Sequence, residues 1–246
     1  MLKRTVVPVE SPSDGGYDSL ARNYDRWTWL VFGTRLDRFR RESLSRAFLD
    51  DPTGQPSRPS STIAVVGDGR GHCAKWLLRH RVCKTLILID RSREMLKFAS
   101  QSARAAMPLH PQADVRIRHA DVRNGLPIRE PIDGWVLPFV LDCFRGDELH
   151  EVLRRVRESS HASTRCLVID FANPVGGFPV RRAWGKANLW AMHRFFRWRT
   201  DLPNPRLLDL PRATSEAFGK AEWQRRSGSI LWSASYGIDA SLDNSP

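Results

Sequence analysis

Long apolar runs, signal-peptide features and clustered cysteines are all missing from this chain of 246 residues. No run of about 18 apolar residues occurs, so we expect no segment that spans a membrane. The N-terminus, MLKRTVVP, lacks the apolar core of a signal peptide. The four cysteines, Cys73, Cys83, Cys143 and Cys166, are widely spaced and match no zinc pattern. We therefore expect no metal site, reduced cysteines within core elements, and a cytoplasmic location.

Basic residues, by contrast, are in excess. The chain has 39 Lys and Arg against 27 Asp and Glu, which gives a formal net charge of +12. Such a charge suits an anionic partner, which includes nucleic acid, an acidic lipid surface or a phosphorylated substrate. A basic solvated surface explains it equally well, because net charge is no argument about the fold.

The composition changes along the chain and predicts its organisation. Residues 1–16 are rich in Pro, Ser, Gly and charge, and are predicted to form a flexible tail, as are residues 238–246. Residues 17–237 are long enough for a single α/β domain. Within it, residues 17–50 carry apolar residues at helical spacing and predict an N-terminal helical cap. Residues 51–61 hold several Pro, Ser and Gly residues and predict a surface loop.

From residue 62 onward, strand and helix patterns alternate. Strands are predicted at 62–66, 85–90, 115–119, 133–140 and 165–171, with helices at 72–80, 92–106 and 146–160. Residues 221–226 and 230–236 predict a final hairpin. The alternation implies an α/β fold: a doubly wound, mostly parallel seven-stranded sheet with helices on both faces, an antiparallel C-terminal hairpin and an N-terminal helical cap.

The first predicted strand runs into a turn with glycines at alternate positions, Gly67, Gly69 and Gly71. Glycines let the backbone turn tightly and let a ligand approach it closely. Ligands bind at the carboxyl ends of parallel strands, which is where this turn lies. Dinucleotide enzymes use G-x-G-x-x-G, and His72 stands where their last glycine is expected. An NAD-type oxidoreductase is therefore the less favoured alternative.

The spacing G-x-G-x-G resembles the first motif of class I S-adenosylmethionine-dependent methyltransferases. Further segments similar to motifs of this family follow in the expected order: DRSREML at 90–96, HADV at 119–122 and DGWV at 133–136. The stretch YDSLARNYD at 17–25 is similar to the opening of the ubiquinone/menaquinone-type branch. The resemblance implies a methyltransferase that uses S-adenosyl-L-methionine as its cofactor.

The resemblance also implies which residues hold the cofactor. Asp90 would accept hydrogen bonds from the two ribose hydroxyls, Met95 would pack near the adenine, and Asp121 would reach the adenine amino group. The predicted cofactor-binding set is Gly67, Asp68, Gly69, Gly71, Asp90, Arg91, Met95, Asp121 and Val122. Other interpretations stay open, because Asp90 also suits a strand-end cap, Asp121 a turn residue and Met95 a core residue.

One position departs from the family's pattern. The family usually has an acid two residues before the first glycine, where it contacts the methionine amino group, and this chain has Val65 there. Asp68, inside the turn, is the candidate to replace that acid. If it does not, a non-catalytic protein that binds S-adenosylmethionine or a partner is the alternative.

The segment LPFVLDCF at 137–144 follows the fourth predicted strand, where the transferred methyl is expected to emerge. It is neither the N-P-P-Y or D-P-P-Y of exocyclic-nitrogen methyltransferases nor the Pro-Cys of cytosine methyltransferases, so Cys143 is interpreted as structural. Asp142 and His119 are the weak candidates for a base, although Asp142 also suits a helix N-cap and His119 a solvent-facing residue. The overall likeness suggests a small acceptor, apolar or lipid-like.

Residues 176–218 predict a helical lid insertion. Within it, residues 181–199 contain no acidic residue and interleave arginine with tryptophan and phenylalanine. A lid packed on the N-terminal helices is the main interpretation, peripheral contact with an anionic membrane is an alternative, and nucleic acid is not expected. The predicted acceptor-site or lid residues are Tyr17, Tyr24, Trp27, Phe139 and Trp190.

Overall fold

Seven strands form the centre of the computed structural model, which describes residues 34–50, 60–173, 208–227 and 230–238. The strands are β1 (Ser60–Val66), β2 (Cys83–Asp90), β3 (Asp114–His119), β4 (Ile132–Pro138), β5 (Ser160–Phe171), β6 (Trp223–Ser227) and β7 (Leu231–Gly237). They lie side by side in the order β3-β2-β1-β4-β5-β7-β6.

Strands β1 to β5 pair in parallel, with Val65 opposite Leu88 on one side and Val136 on the other. Strand β7 is antiparallel to both β5 and β6. The predicted parallel sheet with a C-terminal antiparallel hairpin is thus confirmed. The chain order reverses between β1 and β4, and in open α/β sheets ligands bind at such a reversal.

Among the described residues, five α-helices cover the two faces of this sheet: α1 (Arg35–Phe48), α2 (His72–Arg79), α3 (Arg93–Ala106), α4 (Gly146–Glu158) and α5 (Leu210–Phe218). The side chains of β1 alternate between two buried cores, as the period of a strand requires. Ile63 and Val65 pack with α1, α2 and α3, whereas Ala64 and Val66 pack with α4 and α5. The prediction of helices on both faces is therefore confirmed.

Helix α1 is the described part of the predicted helical cap. It buries Leu36, Phe39 and Leu44 along one stripe. The hydroxyl of Ser43 donates to the Phe39 carbonyl oxygen at 2.8 Å and lies 2.9 Å from the Ser233 hydroxyl on β7. The helix therefore lies across the C-terminal half of the sheet. The rest of the predicted cap, with Tyr17, Tyr24 and Trp27, falls outside the described residues.

Helix α5 is the described end of the predicted 176–218 insertion. It packs against α4 and β7, and its Leu210 and Phe218 are buried. The Thr214 hydroxyl lies 2.7 Å from the Tyr236 hydroxyl on β7. These contacts make α5 part of the helical layer over the sheet. Residues 174–207, which include Trp190, fall outside the described part of the chain.

Several element boundaries differ from the sequence pattern. The strand predicted at 133–140 ends at Pro138, because Phe139 has a φ of +53° and leaves the strand conformation. Helix α4 ends at Glu158, and β5 begins at Ser160 rather than at residue 165. The early part of β5 is polar, but Ser160 pairs with Ile132 and the Thr164 hydroxyl donates to the Ile132 carbonyl oxygen at 2.7 Å. Within the described residues, no helix has the length and apolar character needed to cross a membrane.

Candidate functional site

A cleft of about 720 Å³, including the part open to solvent, lies at the carboxyl ends of β1, β2, β3 and β4. The lining residues are Val66, Gly67, Gly69, Asp90, Arg91, Met95, Ala120, Asp121, Val122, Arg123, Phe139, Val140, Cys143 and Phe144. The cleft therefore occupies the position that the chain reversal between β1 and β4 predicts.

The glycine turn forms one side of the cleft, and its three glycines have φ of +71°, +58° and +80°. A Cβ on Gly67 would lie 2.7 Å from Val140 Cγ2, and a Cβ on Gly71 would lie 2.7 Å from the Cα of Ala99 on α3. A Cβ on Gly69 would meet no atom within 4 Å. Gly67 and Gly71 are thus required by packing, whereas Gly69, which lines the cleft, has open space where its Cβ would stand.

Asp68 serves helix α2. Its Oδ1 accepts a hydrogen bond from the Cys73 N–H at 2.9 Å, and its Oδ2 accepts one from the Ala74 N–H at 2.8 Å. These are orphan donors of the first helical turn, and a carboxylate there also complements the helix dipole. Burial raises the pKa of this carboxyl. Val65 stands where the resemblance leads one to expect an acid, and it is fully buried. Asp68, the candidate to replace that acid, is hydrogen-bonded to the backbone of α2 instead.

Asp90 ends β2 and lines the cleft. Its Oδ1 accepts from the Ser92 N–H at 2.8 Å, and the Ser92 hydroxyl caps α3 by accepting from the Met95 N–H at 3.1 Å. Burial raises the pKa of Asp90 to about 7. Met95 belongs both to the cleft wall and to the buried surface of α3. The carboxylate thus faces the cleft from a fixed position and presents the bidentate acceptor that two vicinal hydroxyls need.

Asp121 follows β3 and is paired with Arg123. The Arg123 Nε donates to both carboxylate oxygens at 3.0 Å, and the Arg123 backbone N–H donates to Oδ1 at 3.0 Å. Burial opposes ionisation of Asp121, but these hydrogen bonds outweigh it and lower its pKa. Val122 is buried beside them and also lines the cleft. The cleft thus carries an ionised acceptor at its β3 end.

Phe139 follows β4 with an unusual backbone. Its φ is +53°, a conformation that is costly for an aromatic residue, and its N–H donates to the Ile169 carbonyl oxygen at 2.6 Å. Its ring packs 5.1 Å from the Phe171 ring and lines the cleft. With Val140, Cys143 and Phe144 it forms an apolar wall. Strained residues concentrate at functional sites, and this one lies where the acceptor was expected.

Asp142 and Asp170 form an acidic pair next to this wall, in which Asp142 is half-buried and neither residue lines the cleft. Asp170 is fully buried, and its oxygens accept from the Phe171 N–H at 2.7 Å and the Leu141 N–H at 3.0 Å. Burial and the negative charge of Asp142 raise the pKa of Asp170 well above its ordinary value. Burial likewise raises the pKa of Asp142, whose Oδ1 accepts a long hydrogen bond from the Cys143 thiol at 3.5 Å.

His119 lies apart from the cleft wall. It occupies β3 opposite Asp90, and its Nε2 lies 2.8 Å from the carbonyl oxygen of Arg91. Arg91 lines the cleft, but His119 does not. The imidazole therefore supports the turn after β2, and its position does not favour the base that the sequence suggested.

The structure brings most of the predicted cofactor residues into one place. Seven of the nine line the cleft, and the two others, Asp68 and Gly71, support the turn from behind. Phe139, the described member of the predicted acceptor-site set, also lines the cleft. Cys143, interpreted as structural, is half-buried on the cleft wall. Sequence reasoning missed Val66, Ala120, Arg123, Val140 and Phe144; of these, only Arg123 carries a signal, a cation two residues after the predicted acid.

The remaining predicted residues Tyr17, Tyr24, Trp27 and Trp190 lie outside the described part of the chain. Across the four described ranges, no three His, Cys, Asp or Glu side chains come together in a way that would hold a metal ion.

A family model for a methyltransferase domain, Methyltransf_25, matches residues 63–161. This segment runs from β1 to the start of β5 and includes the glycine turn, Asp90, Asp121 and the wall after β4. No curated protein sequence matches the chain at a significant level.

Many solved structures share the fold. The N-methyltransferase NodS from Bradyrhizobium japonicum WM9, in complex with S-adenosyl-L-homocysteine, is 16% identical with a TM-score of 0.58, covering 91% of this chain and 98% of its own. An O-methyltransferase family 2 protein from Planctomyces limnophilus DSM 3776, in complex with apigenin, is 15% identical with a TM-score of 0.62, covering 93% and 62%. Human N-acetylserotonin methyltransferase, in complex with SAM, is 15% identical with a TM-score of 0.55, covering 93% and 60%.

At such identities these likenesses show the fold, which is that of class I methyltransferases. The chain spans about three fifths of several of these neighbours and nearly all of NodS. Both O- and N-methyltransferases are among them, so the ubiquinone/menaquinone-type branch is not singled out. The family model agrees with the prediction of a methyltransferase over residues 63–161, which it matches as a methyltransferase domain.

Proposed function

We propose that this protein transfers the methyl group of S-adenosylmethionine to a small, apolar or lipid-like acceptor by SN2 displacement. The observation that carries the proposal is the cleft itself, which brings Gly69, Asp90 and Asp121 together at the reversal of the sheet. The three come from three separate segments of the chain, and only the tertiary fold makes them neighbours.

The cofactor side of the proposal assigns a task to each of these residues. Asp90 accepts hydrogen bonds from the two ribose hydroxyls, and Asp121 accepts one from the adenine amino group. Gly69 leaves room beside the backbone, because no protein atom lies within 4 Å of the position of its missing Cβ. When bound, S-adenosylmethionine supplies an electrophilic methyl group, so the protein's own work is to position the reactants and to exclude water.

The acceptor side rests on the apolar wall of Phe139, Val140, Cys143 and Phe144. An apolar acceptor would gain from burial against such a wall, at about 25 cal/mol for each Å² removed from water. Residues 184–198, whose sequence alternates aromatic and basic residues, are proposed to complete the acceptor site or to contact an anionic membrane.

Asp142 is proposed as the base for acceptors that must lose a proton. It does not itself line the cleft, but its Oδ1 lies 3.5 Å from the Sγ of Cys143, which does, and burial raises its pKa to about 6, close to the range in which a base works near neutral pH. The variant Asp142→Asn should lower kcat for a phenol or amine acceptor and abolish the acidic limb of its pH profile. An unchanged profile would mean that transfer needs no base from this position.

The direct test is calorimetric titration with S-adenosylhomocysteine. We expect the wild type to bind and Asp90→Ala to bind at least about tenfold more weakly, because hydrogen bonds to a charged group contribute about 1.5–3 kcal/mol each. Asp114→Ala is the matched control, since Asp114 is an exposed acid at the start of the neighbouring strand. A wild type that binds neither S-adenosylhomocysteine nor S-adenosylmethionine would refute the proposal.

A non-catalytic protein that binds S-adenosylmethionine is the second candidate, favoured by one observation. Val65 is buried in the core, and Asp68 is bonded to the helix, so the usual partner of the methionine amino group is absent. Incubation of cell extracts with methyl-labelled cofactor separates the two functions. Label transferred by the wild type but not by Asp90→Ala supports the enzyme, and tight binding without transfer supports the non-catalytic protein.

A further inference from the structure

Arg123, which the sequence did not single out, is hydrogen-bonded to Asp121, the proposed acceptor of the adenine amino group. Its guanidinium donates to both Asp121 oxygens, through Nε at 3.0 Å and also through Nη2 to Oδ2. Its backbone N–H adds a further hydrogen bond to Oδ1 at 3.0 Å. Both residues line the cleft. One arginine thus fixes the orientation of the carboxylate from two sides.

The loop that carries Arg123 is itself anchored to helix α4. Arg155 Nη1 donates to the carbonyl oxygens of Val122 at 3.1 Å and Arg123 at 2.6 Å, and its Nε donates to Glu151 at 2.7 Å. On the other side, Arg123 Nη1 lies 3.6 Å from Glu148 Oε1. The guanidinium therefore sits between two carboxylates on an immobilised backbone, an arrangement that holds a rigid planar fork in place.

A carboxylate held in this way accepts hydrogen bonds and does not donate them. The pairing with Arg123 keeps Asp121 ionised against the effect of burial, since it lowers the pKa of the carboxyl. An adenine presents an amino group at position 6, which is a donor. A hypoxanthine presents an oxygen there, and an oxygen against a fixed carboxylate leaves two acceptors facing each other without a proton between them.

We infer that Arg123 is a positioning residue that fixes Asp121 as an acceptor and thereby selects an adenosyl cofactor over its inosyl counterpart. This inference rests on the proposed function, because it assumes that the cleft binds S-adenosylmethionine. It goes beyond that proposal in assigning the base selectivity of the cleft to an arginine that touches the acid and not the ribose.

The experiment compares two ligands on one protein, S-adenosyl-L-homocysteine and S-inosyl-L-homocysteine, by calorimetric titration. We expect the wild type to prefer the adenosyl ligand by about 10- to 100-fold, the effect of leaving one buried polar group without its partner. In Arg123→Gln the preference should fall to within about threefold of unity, because a mobile Asp121 can take up a proton and donate. The ratio removes any effect common to both ligands, such as the protonation of Asp90.

Two further variants sharpen the result. Arg123→Lys keeps the charge but not the planar fork, and should retain an intermediate preference. Arg118→Gln is the matched control, since Arg118 lies on β3 near Glu130, at 3.9 Å, and away from the cleft lining; it should keep the wild-type ratio. A wild-type ratio in Arg123→Gln, or no preference in the wild type, overturns the inference alone. Failure of the wild type to bind either ligand overturns the proposed function and this inference with it.

Discussion

Two properties of Asp90 predict that cofactor binding depends on pH. It is the proposed ribose acceptor, and its burial raises its pKa to about 7, so it is largely protonated in the free protein at pH 6 and ionised at pH 8. Only the ionised form accepts both hydroxyls. We expect the affinity for S-adenosylhomocysteine to rise about tenfold from pH 6 to pH 8, the ratio of the two ionised fractions.

Asp90→Asn provides the control for this pH dependence, since its amide does not titrate. Its affinity should be low and flat across the same range in calorimetry. The sign for stability is the opposite of that for binding: an acid whose folded pKa is raised loses stability as pH rises from its unfolded to its folded pKa. Asp90→Asn should therefore melt at a higher temperature than the wild type at pH 8. A wild-type affinity independent of pH would contradict the proposed role.

Gly69 and Gly71 share a positive φ but have different surroundings, which separates packing from ligand access. A Cβ on Gly71 would lie 2.7 Å from the Ala99 backbone, so Gly71→Ala should lower the free energy of unfolding by about 2–4 kcal/mol through strain and overpacking. Gly69→Ala meets no protein atom and should cost only about 1–2 kcal/mol. Urea denaturation measures both values.

The same two variants are expected to differ in their affinity for S-adenosylhomocysteine. Gly69→Ala should bind S-adenosylhomocysteine more weakly than its small loss of stability suggests, because Gly69 lines the cleft and the added methyl group enters open space beside it. Folded Gly71→Ala should lose affinity only as far as its turn is distorted. Equal affinities for Gly69→Ala and the wild type would place the cofactor elsewhere.

At the scale of elements, helix α2 depends on a carboxylate from outside its own span. Asp68 accepts the N–H groups of Cys73 and Ala74, and the first turn of α2 contains no acidic residue. Asp68→Ala should reduce the free energy of unfolding by about 1–2 kcal/mol, the usual cost of losing a helix cap. Lys75→Ala, an exposed change in the same helix, serves as the control in thermal denaturation. If Asp68→Ala lost more free energy of S-adenosylhomocysteine binding than free energy of unfolding, Asp68 would be a ligand contact, as the sequence suggested.

The same elements show why the sequence predicted the sheet better than it predicted the ends of the strands. Strands β1 and β2 each contain a continuous apolar run, Ile63–Val66 and Leu86–Ile89, so the sequence itself indicates that these residues are buried. The first residues of β5 are polar, and their strand conformation depends on Thr164 and Ser160 meeting Ile132 across the sheet. Because Ile132 is 28 to 32 residues away in the sequence, a local residue pattern does not predict this pairing.

At the scale of the whole molecule, the net charge of +12 remains to be explained. If residues 184–198 contact a membrane, the protein should sediment with vesicles of phosphatidylglycerol and phosphatidylcholine at about 0.05 M salt and be released at about 0.5 M, because salt screens the attraction. Neutral phosphatidylcholine vesicles are the control. Trp190→Ser should weaken sedimentation without altering the salt dependence, and a protein that stays in the supernatant at low salt would exclude this contact.

The sequence by itself determined the order of the elements, the glycine turn and the acid that ends β2. These are local properties: side-chain periodicity sets helix or strand, and three glycines in one turn allow the positive φ that each adopts. The placement of Gly67, Gly69, Asp90, Met95 and Asp121 around a ligand stays a prediction, which the cleft makes more specific.

The tertiary structure alone decided what each polar side chain does. In the fold, Asp68 accepts hydrogen bonds from helix α2, and His119 lies against the Arg91 carbonyl oxygen. Arg123 donates hydrogen bonds to Asp121. The fold also sets Phe139 at a φ of +53° on the cleft wall. Hydrogen bonds of this kind depend on the direction of a side chain and on neighbours from other strands. Those are fixed by register and packing, and the order of residues along the chain does not contain them.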